Sequence, residues 1–166
     1  MRGDLARQFV AALSHRAQGT ALAEAARRAS AGRWEEVELA LRTQGDSRGS
    51  VAQALLGLAL FAREDYAGAA AALEAAFDAG PQDALTAFFL GWAHEGAGDG
   101  RAALSAWRSA AYLDPTLVSA HLALADGYLR LSEPSLARQA LRAGLAALPS
   151  SPELLARLGQ LERNTP

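Results

Sequence analysis

The chain has 166 residues, 51% of them hydrophobic and 20% charged, with a formal net charge of -2, no Cys, and Arg as its only strongly basic residue. Such a composition can bury a core and is not that of a disordered tail, and its faint negative charge gives no basic field for nucleic acid. The absence of Cys excludes disulfides and thiolate metal sites, while the all-Arg, Ala-rich usage predicts a GC-rich, bacterial coding sequence.

At the N-terminus, Arg7, Gln8, Ser14, His15 and Arg16 interrupt any apolar run. No signal peptide is predicted, nor any stretch near the ~18 apolar residues that would span a membrane. The expected location is cytoplasmic, for the chain itself or for a longer protein of which it is a soluble part. Arg2-Gly3-Asp4 spells an adhesion tripeptide, read here as coincidence, with Asp4 as the N-cap of a first helix over 4–17. Paired helices are then expected over 21–30 and 35–43, 51–63 and 66–78, 85–97 and 101–113, and 119–131 and 135–148, with a last helix over 152–162. Pro134 and Pro152 suit first turns, where a missing N–H costs nothing.

Several residue series share one period. Leu56-Gly57 returns as Leu90-Gly91, Leu124-Ala125 and Leu158-Gly159, each step 34 positions. Pro81, Pro115 and Pro149 keep the same step, as do Ala69, Ala103 and Ala137; Ala76, Ala110 and Gly144; and Leu73, Trp107 and Leu141. The period and these residue types resemble the tetratricopeptide repeat. Gly32-Arg33-Trp34, Glu64-Asp65-Tyr66 and Gly98-Asp99-Gly100 stand where that family turns between its two helices. The resemblance implies an all-α, right-handed solenoid of helix-turn-helix hairpins with a C-terminal capping helix. Its divisions are 1–19 (a cap or orphan half-repeat), 20–49 (a degenerate first repeat), 50–83, 84–117 and 118–151 (three full repeats), and 152–166 (capping helix and tail). Repeat one is expected to lack two residues near Gly45–Gly49. Leu5, Phe9 and Ala12 are spaced like the inward face of a second helix, consistent with an orphan half-repeat or with a cap folded onto the array. Leu56, Leu90 and Leu124 should be buried between paired helices. Gly57 and Gly91 should admit close approach of Ala69 and Ala103.

Chemistry-bearing constellations are sparse. His15, His94 and His121 have no second His at ligand spacing, and the latter two fall on packing positions. Glu35, Glu36 and Glu38 suit the positive end of a helix. Arg42, Arg108 and Arg142 share one repeat position, interrupted by Glu74, and read as a solvated row. No phosphate loop, nucleophile elbow or metalloprotease signature occurs. The expectation is a non-enzyme without metal, nucleotide or haem.

The resemblance implies a concave groove lined by the first helix of each hairpin. On the matching positions stand Leu58, Phe61, Phe88, Phe89, Trp92, Leu122, Leu129, Arg130 and Arg157. The family's readers of chaperone tails clamp a terminal carboxylate with Lys, Asn and Arg; that set is absent here. An apolar strip of this extent implies a scaffold that binds an apolar or amphipathic segment of another protein or peptide, with Arg130 and Arg157 near an acidic end. The alternative is a structural module of a larger or self-associating protein, its groove filled internally by the N-terminal helix or a second copy. Neither nucleic acid nor membrane insertion is expected.

Overall fold

The hairpins all turn at the same place. Gly32, Glu64, Gly98 and Ser132 hold left-handed backbone, with φ of 71°, 63°, 87° and 61°. Asp65 and Asp99 follow two of these residues and cap the next helix, accepting from Gly68 N–H at 3.0 Å and Ala102 N–H at 2.9 Å. Ser132 is followed by Glu133 and by Pro134, which occupies the first helical turn as expected. A side chain in left-handed backbone costs about 1–2 kcal/mol, which glycine avoids. Glu64→Gly and Ser132→Gly should therefore each raise the unfolding free energy by about 0.5–1 kcal/mol once glycine's larger unfolded-state entropy is set against that gain. Urea titration checks this, and a loss of stability in both variants would contradict the turn geometry.

The computed structural model describes residues 2–18, 20, 22–43, 49–80 and 82–163, and contains ten α-helices and no strand among them. They are α1 (Arg2–Ala17), α2 (Ala23–Ser30), α3 (Trp34–Thr43), α4 (Ser50–Ala62), α5 (Tyr66–Ala79), α6 (Ala84–Gly96), α7 (Gly100–Leu113), α8 (Val118–Arg130), α9 (Pro134–Ala147) and α10 (Pro152–Arg163). Their bounds agree with the sequence expectation to within two residues. Pro81 and nearly all of the 45–49 stretch, where repeat one was expected to lose two residues, lie outside the described residues. Asp4 corrects one expectation: α1 begins at Arg2, so Asp4 sits within the first turn and pairs with Arg7 instead of capping the helix.

Helices pair as α2–α3, α4–α5, α6–α7 and α8–α9, and each second helix packs on the first helix of the following hairpin. Successive first helices also meet one another, in α2–α4, α4–α6 and α8–α10. Among the described residues the second helices make no comparable contacts with one another, so the stack curves with its first helices inward. α10 packs on α8 and α9, with Leu154 and Leu161 buried in that contact.

Within hairpins the repeated glycines do admit close approach, but of a different residue from the one expected. A Cβ on Gly57 would lie 2.5 Å from Leu73 Cγ, and one on Gly91 would lie 2.3 Å from the Trp107 ring. The large residue of the second helix, not Ala69 or Ala103, fills the space; the two alanines are fully buried beside it. Leu90 and Leu124 are buried, whereas Leu56 is half-buried. His121 is a core residue, seated against Gly144, with Nδ1 3.2 Å from the Ala140 carbonyl and Nε2 3.0 Å from the Pro115 carbonyl.

Candidate functional site

The inner surface is already partly occupied. α1 packs on α2, α4 and α6, the first helices of three hairpins in succession. Its contact with α2 matches that of a second helix on the following first helix, as α3 on α4, and its contacts with α4 and α6 are additional. The buried face of α1 is Leu5, Phe9, Val10, Leu13 and Ala17. These lie about one and two turns apart along one side of a helix. Ala12, expected on that side, is exposed. This helix thus packs on the first hairpin's inner helix and also reaches the next two first helices.

Phe9 is the anchor. It is 1% exposed and its ring stacks on Phe89, centroids 5.4 Å apart and planes 13° from parallel. From Phe89 a chain of edge-to-face rings spreads through the groove wall. Phe61 meets Phe89 at 5.9 Å, Phe88 meets Phe89 at 5.6 Å, Trp92 meets Phe88 at 6.3 Å, and Trp107 meets Trp92 at 5.0 Å. The strip therefore runs from the concave surface into the core of the third repeat's hairpin. Leu58, Phe88 and Phe89 are buried, while Phe61 and Trp92 keep partial exposure.

Polar ties at the C-terminal end of α1 are few. Arg16 donates to Ser50 Oγ at 3.2 Å and lies 3.7 Å from the Asp83 carboxylate, and the Ser14 and Ser30 hydroxyls are 3.2 Å apart. Toward its N-terminal end an open-sided cavity of about 490 Å³ separates α1 from the end of α2 and the start of α3, with Ala6, Val10 and Ala11 facing Ala29 and Trp34 across it.

The other half of the concave face, over α6, α8 and α10, has a different character. Leu122 and Leu129 are half-buried, as is Leu158 beside them. Arg130 pairs with Glu95 of the preceding first helix at 2.8 Å. Arg157 reaches back to Asp126, its Nε 3.0 Å from Oδ1. Both cations are thus held by acids of the neighbouring repeat and tie α6 to α8 and α8 to α10. Exposed pairs of this kind stabilise by roughly 0–1 kcal/mol, so they orient the rim more than they hold the array together.

The other charged candidates are engaged locally. Arg108 donates to the Tyr128 hydroxyl at 2.9 Å and Arg142 lies 3.4 Å from Glu162; the Arg42 side chain lies outside the described residues. Glu36 pairs with Arg33, and Glu38 with Arg63. The Glu24 carboxyl is held below the usual carboxylate range by hydrogen bonds from Arg27 and then Arg28. His94 is half-buried along a second cavity between α5 and α7 on the outer side. Among the described residues no three His, Asp or Glu converge as a metal site would require, and no helix is long and apolar enough to cross a membrane.

Residues 118–161 match the tetratricopeptide-repeat family profile. No curated protein sequence matches the chain. Among solved structures, the APC/C hetero-tetramer Cut9-Hcn1 is similar with a TM-score of 0.68 and 21% identity over 85% of this chain, which spans only 29% of that one. The first TPR of Spaghetti (RPAP3), bound to the HSP90 peptide SRMEEVD, matches with a TM-score of 0.59 and 18% identity, over 71% of this chain and 94% of that one. The Sgt2 TPR domain from Aspergillus fumigatus gives a TM-score of 0.59 and 21% identity, over 69% of this chain and 77% of that one.

Proposed function

We propose, from the premise that this chain is a tetratricopeptide-repeat protein, that it is a non-catalytic scaffold holding an apolar or amphipathic segment of another polypeptide against its first helices. The observation that carries this reading is α1 itself: an amphipathic helix seated on the concave aromatic strip with Phe9 stacked on Phe89. A surface that accepts one such helix has the shape and apolarity for helix-in-groove recognition. One solved neighbour, the first TPR of Spaghetti, is bound to an HSP90 peptide, a precedent for peptide capture on this fold. The chemistry here differs, because Arg130 and Arg157 are already paired with Glu95 and Asp126. Apolar contact, not carboxylate clamping, then supplies the affinity. The docking face comprises Leu122, Leu129 and the exposed part of Trp92, adjoining the half covered by α1.

A second reading is favoured by the burial of Leu58, Phe88 and Phe89: a structural module of a larger or self-associating protein, with α1 as permanent filling. Affinity capture from the source cells separates the two. Leu122→Asp and Leu129→Asp should each reduce recovery of the bound protein by about tenfold or more, as expected for a charge placed in an apolar contact. Tyr112→Asp, on a residue of α7 that is 85% exposed, should leave recovery unchanged. Equal capture by all three variants would favour the structural module.

A further inference from the structure

We infer that α1 is a displaceable resident of the groove, and that the partner which replaces it is an amphipathic helix with bulky apolar residues in the spacing of Leu5, Phe9, Val10 and Leu13 and with larger side chains where α1 has Ala6 and Ala11. This rests on the reading of the concave face as a docking surface and names the ligand class and the regulation of its α1-covered half, beside Leu122 and Leu129.

Three observations carry it. First, α1 spans three consecutive repeats along their inner face, whereas a helix serving only to seal the end of the array would need to cover only the first hairpin. Second, unfilled apolar space borders its seat: the open-sided cavity of about 490 Å³ lies beside Ala6, Val10 and Ala11, with Ala29 and Trp34 on its other side. Small residues on α1 leave apolar surface that a better-fitting helix would cover. Third, the polar ties described between α1 and the repeats are those of Ser14 and Arg16 near its C-terminal end, and their partners are at most half-buried. The grip is therefore mainly the apolar face centred on Phe9, a non-directional interaction that a second helix of the same pattern can reproduce.

A tethered helix competes at an effective concentration on the order of millimolar. A ligand arriving from solution must therefore fit better than α1 does, and the cavity is where the extra contact is available. Displacement then works as a threshold: helices that merely equal α1 are excluded, while those that fill the cavity are admitted. The intact chain's apparent affinity is reduced by the fraction of time α1 is seated.

The test uses the intact chain and two fluorescein-labelled peptides, one with the sequence of residues 2–17 and one with Ala6→Leu and Ala11→Leu. Fluorescence polarisation should show the leucine-bearing peptide binding about tenfold more tightly or better, because the added methylenes enter apolar space. A third peptide, the leucine-bearing one with Phe9→Asp, should not bind. Hydrogen exchange with saturating leucine-bearing peptide should show the chain's own 2–17 amides losing protection while α4 to α9 keep theirs. The inference is overturned if 2–17 stay protected under saturation, if neither of the first two peptides binds, or if sedimentation shows the chain alone to be a dimer that exchanges its first helices. Failure here is distinguishable from failure of the docking reading: capture that still depends on Leu122 and Leu129 would leave that reading standing with α1 as a fixed wall.

Discussion

Replacing Trp107 by alanine is expected to remove about 3–5 kcal/mol of folding free energy, the range for truncating a fully buried aromatic. Trp107 is 0% exposed and lies between the hairpins of repeats three and four. Its ring meets Trp92 at 5.0 Å, fills the space over Gly91, and touches the position a Cβ on Gly127 would take. Since whole domains are stable by only about 5–15 kcal/mol, the loss should be plain in a urea titration. The same geometry makes Gly91→Ala destabilising by about 1–3 kcal/mol, since its Cβ would fall 2.3 Å from a ring that neighbouring residues hold in place. Repeat four shows the compensated arrangement: Ala125 stands at the glycine's position and Leu141 at the tryptophan's, both fully buried. Combining Gly91→Ala with Trp107→Leu should therefore cost less than the two changes summed. Additive losses would mean that the Gly91–Trp107 contact is not what sets this helix spacing.

The 34-residue series reveals the hairpins because each member answers a constraint that recurs in every repeat. Leu73, Trp107 and Leu141 must fill a gap between paired helices, and the residue at each turn must adopt left-handed backbone. Periodicity of this kind reports contacts between neighbours in the chain. It is silent about α1, which occurs once and meets the groove through pairs far apart in sequence, such as Phe9 with Phe89. The sequence places Leu5, Phe9 and Ala12 on its apolar face, whereas the third buried residue is Leu13; Ala12 completes an equally good helical face, and in so Ala-rich a chain an alanine carries little information about which side is buried. The aromatic strip was similarly legible as a set of residues and not as a geometry. Phe88 and Trp92 are four positions apart on one helix, yet Phe88 is sealed while Trp92 retains exposure, because different neighbours cover them. The ion pairs Arg130–Glu95 and Arg157–Asp126 depend on the stacking of successive first helices, which residue identity alone does not specify.

Truncations along α1 should not add. Phe9→Ala removes a side chain that is 1% exposed and stacked on Phe89, and taken alone it would cost about 3–5 kcal/mol. Leu13→Ala, fully buried on the same face, would cost about 2–5 kcal/mol. A change on α1 can destabilise the native state only until undocking α1 becomes the cheaper option. Beyond that point the ground state is the array with α1 released, and further truncation of α1 has nothing left to remove. The total loss is thus capped at the docking free energy of one helix, and the double variant should be more stable than the sum of the singles by at least about 1 kcal/mol, within the range of coupling found between residues in one unit. The matching change on the opposite wall, Phe89→Ala, is not capped in this way, because Phe89 also packs on Phe61 and Phe88 inside the array. It should lower the urea midpoint further than Phe9→Ala does. Strict additivity of Phe9→Ala and Leu13→Ala, together with equal effects of Phe9→Ala and Phe89→Ala, would show α1 to be an inseparable part of the cooperative core. A capped loss on α1 and an uncapped one on α6 would mark a helix that leaves its seat while the repeats beneath it stay folded.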